Sequence, residues 1–275
     1  MTSHRVVFFT AGSPFGSAKI RAHQIAERLG GAVVDEPIDL NNPPKHIVLV
    51  KVFPEDVCRL TERTTVWYDP IDTDSALPAV AKEPGVTVMA AGRTAAKYLR
   101  ARLDNRVVLV PQQHCNFDNL LNERWPPRTV GYIGYEENLD LSVDVLKEEL
   151  GELGLDFVWK FMDKTVGWEE ATAFYRTIDI NISFRKPRIC SGLPPEMKNP
   201  LKIINAASFG IPTVGKDEAP FEEFPLSIQV NSLGELVAAC ERLQKTAPFF
   251  KPQLVDRAQE YHIDNIVRLY DELLV

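Results

Sequence analysis

Residues Asn199 to Gly215 read NPLKIINAASFGIPTVG, and this stretch decides the fold class. Asn199 suits an N-cap, Pro200 suits the first helical position and Gly210 suits the stop, so the segment predicts a helix from Pro200 to Phe209. Ile211 to Val214, short and mostly apolar, predicts a strand. Just upstream, Asp179-Ile-Asn-Ile-Ser183 predicts another. Strand, helix and strand in succession mark a parallel sheet with helices packed on its faces.

The same pattern extends outward. In the second half, strands are predicted at Thr129–Ile133 and Asp156–Trp159, and helices at Val143–Leu153, Trp168–Arg176 and Leu233–Gln244. Gln253 to Leu274 reads as one or two closing helices. In the first half, strands are predicted at Arg5–Thr10, Ala32–Val34, His46–Val52, Thr65–Tyr68, Val86–Met89 and Arg106–Val110. A helix carrying Ile20, Ile25 and Leu29 stops at Gly30-Gly31, one opens at Pro54, and another runs from Thr94 to Leu103. Glu123-Arg-Trp-Pro-Pro-Arg128 reads as a stiff junction, after which the pattern restarts. The expected architecture is α/β: two Rossmann-like, doubly wound parallel-sheet domains, residues 1–124 and 125–275, facing a cleft.

Composition agrees. The 275 residues (31.0 kDa) are 45% hydrophobic and 25% charged, which excludes a disordered or fibrous chain. The N-terminus lacks the apolar run of a signal peptide. Ile203 to Gly215, the longest uncharged apolar stretch, is too short and broken to span a membrane. A cytoplasmic protein with no transmembrane segment is expected. Cys58, Cys115, Cys190 and Cys240 form no CxxC pair, so no metal or redox motif is implied. Asn181-Ile-Ser183 matches the glycosylation sequon but reads as buried strand. Net charge is −7, concentrated in the second half, which argues against a nucleic-acid partner. One window opposes that trend. Arg185, Lys186, Arg188, Lys198 and Lys202 face a single acid, Glu196, across residues 185–202.

That basic island meets the start of the Pro200 helix. A helix N-terminus with several cations nearby suits a diphosphate, which makes Arg185, Lys198, Asn199 and Lys202 candidate contacts. A solvated basic loop is the plainer alternative. Lys202 and Asn205 stand three apart on one helix face. The loop after the first strand, with Gly12, Ser13, Gly16 and Ser17, fits neither GxGxxG nor GxxxxGK[ST]. It still lies at the carboxyl edge of a sheet, where its N–H groups could hold an anion or a sugar hydroxyl; an ordinary tight turn explains it equally well. Asp69 and Asp72, at a strand end, are candidates for a base or an acceptor-hydroxyl contact, against the commoner turn-forming role of Asp-Pro. His114, after Pro111-Gln-Gln, could orient a substrate or be a structural histidine. Asp72-Thr-Asp74 matches a DxD metal motif in letters only.

NPLKIINAASFGIPTVG resembles the donor-binding segment of GT-B glycosyltransferases, especially the large retaining family with two Rossmann-like domains. WEEATAFYRTIDINIS, RVVLVPQQHCNF, VGYIGY and the terminal YHIDNIVRLYDELL resemble that family's flanking segments, in the same order. The resemblance implies transfer of a sugar, with retention, from a nucleotide-diphosphate sugar to a carbohydrate or other small acceptor. It implies no cofactor and no metal, and a closing helix that packs back on the first domain. It puts Asn205 and Glu196 near the ribose or sugar. Tyr132 and Glu137 stand near places where the family carries Arg and Lys, and Asn205 and Glu196 stand at or beside its paired glutamates. A non-catalytic nucleotide- or sugar-binding relative is the alternative. An NAD-type oxidoreductase or epimerase is disfavoured by the absent glycine pattern.

Overall fold

The computed structural model describes residues 5–12, 16–36, 38–39, 41–162, 167–186, 194–216, 218–224 and 226–274. Strands are β1 (Val6–Phe9), β2 (Ala32–Val34), β3 (His46–Val50), β4 (Thr65–Asp69), β5 (Thr87–Ala90), β6 (Val107–Leu109), β7 (Thr129–Gly134), β8 (Asp156–Phe161), β9 (Ile180–Ser183), β10 (Thr213–Lys216) and β11 (Ile228–Val230). Helices are α1 (Gly16–Ala18), α2 (Gln24–Leu29), α3 (Val57–Thr61), α4 (Leu77–Val80), α5 (Arg93–Arg100), α6 (Val143–Gly151), α7 (Trp168–Tyr175), α8 (Leu201–Ser208), α9 (Leu233–Gln259) and α10 (Ile263–Leu273). A π-helical turn, Lys19–His23, joins α1 to α2.

The strands form two all-parallel sheets, ordered β2-β1-β3-β4-β5-β6 and β11-β10-β9-β7-β8, with helices flanking each. This is the doubly wound α/β class the sequence predicts. The strands are apolar because both faces are covered. Ile47, Leu49, Tyr68, Val88 and Leu99 build the first core, and Val130, Tyr132, Ile180, Ile182, Val214 and Leu236 the second. In α5, Ala95, Ala96 and Leu99 face the sheet while Arg93, Lys97 and Arg100 lie on the remaining turns.

The chain divides into two compact units. One comprises Met1–Gln113, Ile189–Asn199 and Ile263–Val275, the other His114–Arg188 and Pro200–His262. The 3-10 turn Pro195–Met197 belongs to the first unit because Met197 is buried in its core. α10 belongs there too. Tyr270 packs against Phe8 with ring centroids 5.9 Å apart, and Arg5 donates to the Leu274 carbonyl at 2.8 Å. Among the described residues no helix is long and apolar enough to cross a membrane.

The structure departs from the sequence reading in three local features. The helix predicted to end at Gln244 runs on to Gln259, through Pro248 and Pro252. Burial of Ala247, Leu254 and Ala258 on that continuation offsets the lost backbone bonds. β11, three residues long, carries no strand signal of its own and exists by pairing with β10. α8 has Pro200 rather than Asn199 as its N-cap, and the Asn199 amide donates to Gln112 Oε1.

Candidate functional site

In each sheet the strand order reverses once, and the carboxyl ends beside that reversal form the crevice where open α/β sheets bind ligands. In the second unit the reversal lies between β7 and β9. Gly134 ends β7, and α8 starts next to it in space. Lys202, the second residue of α8, reaches over the β7 end. Its Nζ lies 4.3 Å from the centroid of the Tyr132 ring. A Cβ placed at Gly134 would collide with that ammonium and stand 2.8 Å from Tyr132 Oη. Glycine here leaves room for a cation above the strand end, and its φ of +158° is one that side chains rarely adopt. Tyr132 is fully buried and donates its hydroxyl proton to the Tyr135 carbonyl at 2.9 Å, which fixes the ring beneath the lysine. The arrangement sets the ammonium of a partly buried lysine beside the positive end of a helix, a geometry that favours an anion.

The other cations of the basic island are distributed differently. Arg185 makes a two-pronged pair with Glu218, Nε to Oε1 at 3.0 Å and Nη2 to Oε2 at 2.6 Å, and lies over the Phe221 ring. Its charge is met within the protein. Downstream of the island, at the end of β10, Lys216 pairs with Asp140 at 2.5 Å. Lys198 and Asn199 group with the first unit, whereas Lys202 groups with the second. Glu196, in the turn Pro195–Met197, acts electrostatically on Tyr98 of the first unit, whose hydroxyl donates to Asp74 at 2.7 Å. Arg188 lies outside the described residues. Asn205 is turned inward: it is 9% exposed, and its Oδ1 accepts the Cys115 N–H at 3.0 Å. Glu137 is exposed, in the 3-10 turn Glu136–Asn138.

In the first unit the reversal lies between β1 and β3. The loop after β1 is held by Asp35, which follows β2. The Gly12 N–H donates to Asp35 Oδ1 at 2.9 Å, and the Thr10 hydroxyl donates to the same oxygen. These two bonds, the Thr10 one first, hold the Asp35 carboxyl below its ordinary range. Gly12 has φ +69°, a conformation that suits glycine. Gly16 and Ser17 open α1, while Ser13 lies outside the described residues. Asp72 pairs with Lys51 at 2.7 Å at the adjoining strand ends.

Asp69 is fully enclosed. Arg21 Nε donates to its Oδ2 at 2.6 Å and the Ile71 N–H to its Oδ1 at 3.1 Å. Burial raises this carboxyl, and the Arg21 charge opposes that rise. The π-helical turn delivers Arg21 inward, where Nη1 also donates to the Pro111 carbonyl at 2.7 Å. Sequence reading passed over Arg21, whose signal is a lone cation among the apolar positions of the first helix.

His114 is 1% exposed and lies edge-on to His262, ring centroids 5.4 Å apart. Its Nδ1 accepts the Asn116 N–H at 3.2 Å. Burial lowers its pKa from an ordinary 6.5 to about 3, and His262 adds to the shift. The unfolded chain binds this proton near pH 6.5 and the folded chain does not. The stability involved is thus complete above that pH and is lost as pH falls towards about 3. Below about pH 6 the slope should approach about 1.4 kcal/mol per pH unit from this group alone. Denaturant unfolding of the native chain and of His114→Asn, stepped from about pH 7 to pH 5, checks this. The native chain should lose stability more steeply, and matched slopes would remove His114 as the cause.

Burial also pushes the Cys115 thiol up to about 12, so it is an inert packing group. Among the described residues no three His, Cys, Asp or Glu side chains are grouped to hold a metal ion.

No family model matches this chain, and no curated protein matches it in sequence. Solved structures do match. The crystal structure of TarM, from S. aureus, aligns with a TM-score of 0.57 and 9% identity, over 83% of this chain and 54% of that one. The pneumococcal O-GlcNAc transferase GtfA, in complex with UDP and GlcNAc, aligns at 0.54 and 9%, over 83% and 56%. The Streptomyces sp. SF2575 glycosyltransferase SsfS6, complexed with thymidine diphosphate, aligns at 0.50 and 12%, over 98% of this chain and 99% of that one. The chain spans about half the length of the first two. At these identities the likeness is one of fold: two parallel, helix-flanked sheets of six and five strands, the two-domain GT-B fold of solved glycosyltransferases.

Proposed function

We propose that the chain is a glycosyltransferase that moves a sugar from a nucleoside-diphosphate sugar to a hydroxyl of a carbohydrate or other small acceptor in the cytoplasm. The observation that carries this reading is the Lys202 ammonium, held over Gly134 at the strand-order reversal of the second sheet and beside the start of α8. The fold supports it, since solved proteins with this fold were captured with UDP or thymidine diphosphate. In the proposed reaction the bond between the sugar carbon and the diphosphate oxygen breaks, and a bond to the acceptor oxygen forms. The acceptor hydroxyl gives up its proton, which passes to the departing diphosphate oxygen as that bond breaks. Negative charge grows on the departing diphosphate, and Lys202 with the helix terminus stabilises it where it develops. The mechanism is proposed to need no metal, because that charge is met by fixed protein groups. Arg185, committed to Glu218, has no part in it. The acceptor is assigned to the first unit, with Asp72 and Lys51 at its strand ends as candidate contacts. Asp69, enclosed and bound to Arg21, is not assigned as the base.

A thermal-shift panel of UDP, thymidine diphosphate, their sugars and NAD(P) tests the reading. A ligand that binds only the folded state raises the melting temperature. Nucleoside diphosphates should raise it and NAD(P) should not. A rise with NAD(P) alone would favour an oxidoreductase. Titration calorimetry at two ionic strengths gives a further check. Because a charged ligand meets a cation that is not fully buried, affinity should fall as salt rises. Equal affinity at both strengths would sink a charge-driven site.

A further inference from the structure

β8 is an edge strand. Among the described residues it pairs with β7 alone. The Asp156 N–H donates to the Arg128 carbonyl and the Met162 N–H to the Gly134 carbonyl, both on the β7 side. Successive residues of a strand turn their N–H and C=O groups to opposite edges. Phe157, Trp159 and Phe161 therefore present theirs to the open edge. Their side chains share one face as an aromatic row, with centroids 6.0 Å apart from Phe157 to Trp159 and 6.4 Å from Trp159 to Phe161. Trp159 is 37% exposed, with the Lys147 ammonium 4.4 Å from its centroid. Asp156, Val158 and Lys160 occupy the other face. Asp156 is exposed, and Lys160 reaches Glu170 only at 3.9 Å, a pair of little strength in solvent.

We propose that this edge docks a second copy of the chain, β8 against β8, antiparallel about a two-fold axis through Val158. A two-fold interface pairs residue i with j and j with i. The residues that exchange hydrogen bonds must be those with outward-facing backbone groups. Centring on Val158 meets both conditions: Phe157 faces Trp159 of the second copy, and Trp159 faces its Phe157. The same register sets Asp156 opposite Lys160, twice by symmetry, in the non-hydrogen-bonded positions where side chains approach closest. Centring on Phe157 would put Asp156 opposite Val158, and centring on Trp159 would put it opposite Met162. Charge complementarity thus selects one register. The pairing joins two five-stranded sheets into one, covers the exposed Trp159 and uses up an edge that would otherwise accept any extended chain.

The test is the solution mass of the full chain across a rising concentration series, by sedimentation equilibrium. Two-chain mass is expected at the upper end. Asp156→Lys and Lys160→Asp should each run as single chains, since each sets like charges opposite each other. Mixed in equal amounts, they should regain two-chain mass, because every lysine then faces an aspartate. That rescue also demonstrates that both variants fold. If either variant loses its native circular dichroism, Trp159→Glu replaces it and should run as a single chain. A native chain that stays single throughout overturns the proposal. A dimer that survives the charge reversals, or reversals that the mixture does not rescue, overturns it equally.

Discussion

Replacing Lys202 by alanine should weaken nucleoside-diphosphate binding about 10- to 150-fold while leaving the melting temperature almost unchanged. The first half rests on the strength of a charge-assisted hydrogen bond, about 1.5–3 kcal/mol, at about 1.4 kcal/mol per tenfold in affinity. The second half rests on two opposing contributions. A cation in the first turn opposes the helix dipole by about 0.3–1 kcal/mol. Its position over the Tyr132 ring returns about 0.5–1 kcal/mol. The two nearly cancel in the free protein, and a bound anion reverses the sign of the first. Calorimetry with UDP or thymidine diphosphate, together with a melting curve, separates the roles. Undiminished affinity would take Lys202 out of the donor site. A large loss of stability would recast it as a structural residue.

Asp69→Asn should destabilise the chain by about 3–5 kcal/mol, because it leaves the enclosed Arg21 without its counter-charge. Both side chains are fully buried, so no water replaces the lost partner. For a chain of this size that is a fall in melting temperature of roughly 6–20 °C. The double change Arg21→Met with Asp69→Leu should cost less than either charge deletion alone, since replacing a buried pair by apolar side chains removes the desolvation cost as well. A catalytic base would behave in the opposite way. Asp69→Asn would then keep the melting temperature and lose only turnover, and that result would defeat the structural assignment.

The candidate site was legible in part. The positions around Lys202 drew notice because a helix N-terminus and clustered cations are local features, visible within a few residues. Their partners were not visible. Arg185 is neutralised by Glu218, Asn205 is taken by the Cys115 N–H, and Asp69 by Arg21, each many positions away in the chain. A cation lying over a strand end and one held by a carboxylate have the same letters. The role of Gly134 also needed the fold, since part of the crowding there comes from Lys202, which arrives from another element.

The order and kind of most of the strands and helices followed from the sequence alone. Short unbroken apolar runs, alternating with segments of helical period, can bury themselves in few ways other than parallel sheets with helices on both faces. The restart after Pro126-Pro127 likewise announced a second sheet. Tertiary structure decided which strands neighbour which, and hence where each strand order reverses. It also carried α9 through two prolines and made a strand of Ile228–Val230. The physical reason is range. Periodicity records which face of an element must leave water, a property of neighbouring residues. What lies across that face, and which charge meets which, is settled only when distant segments pack.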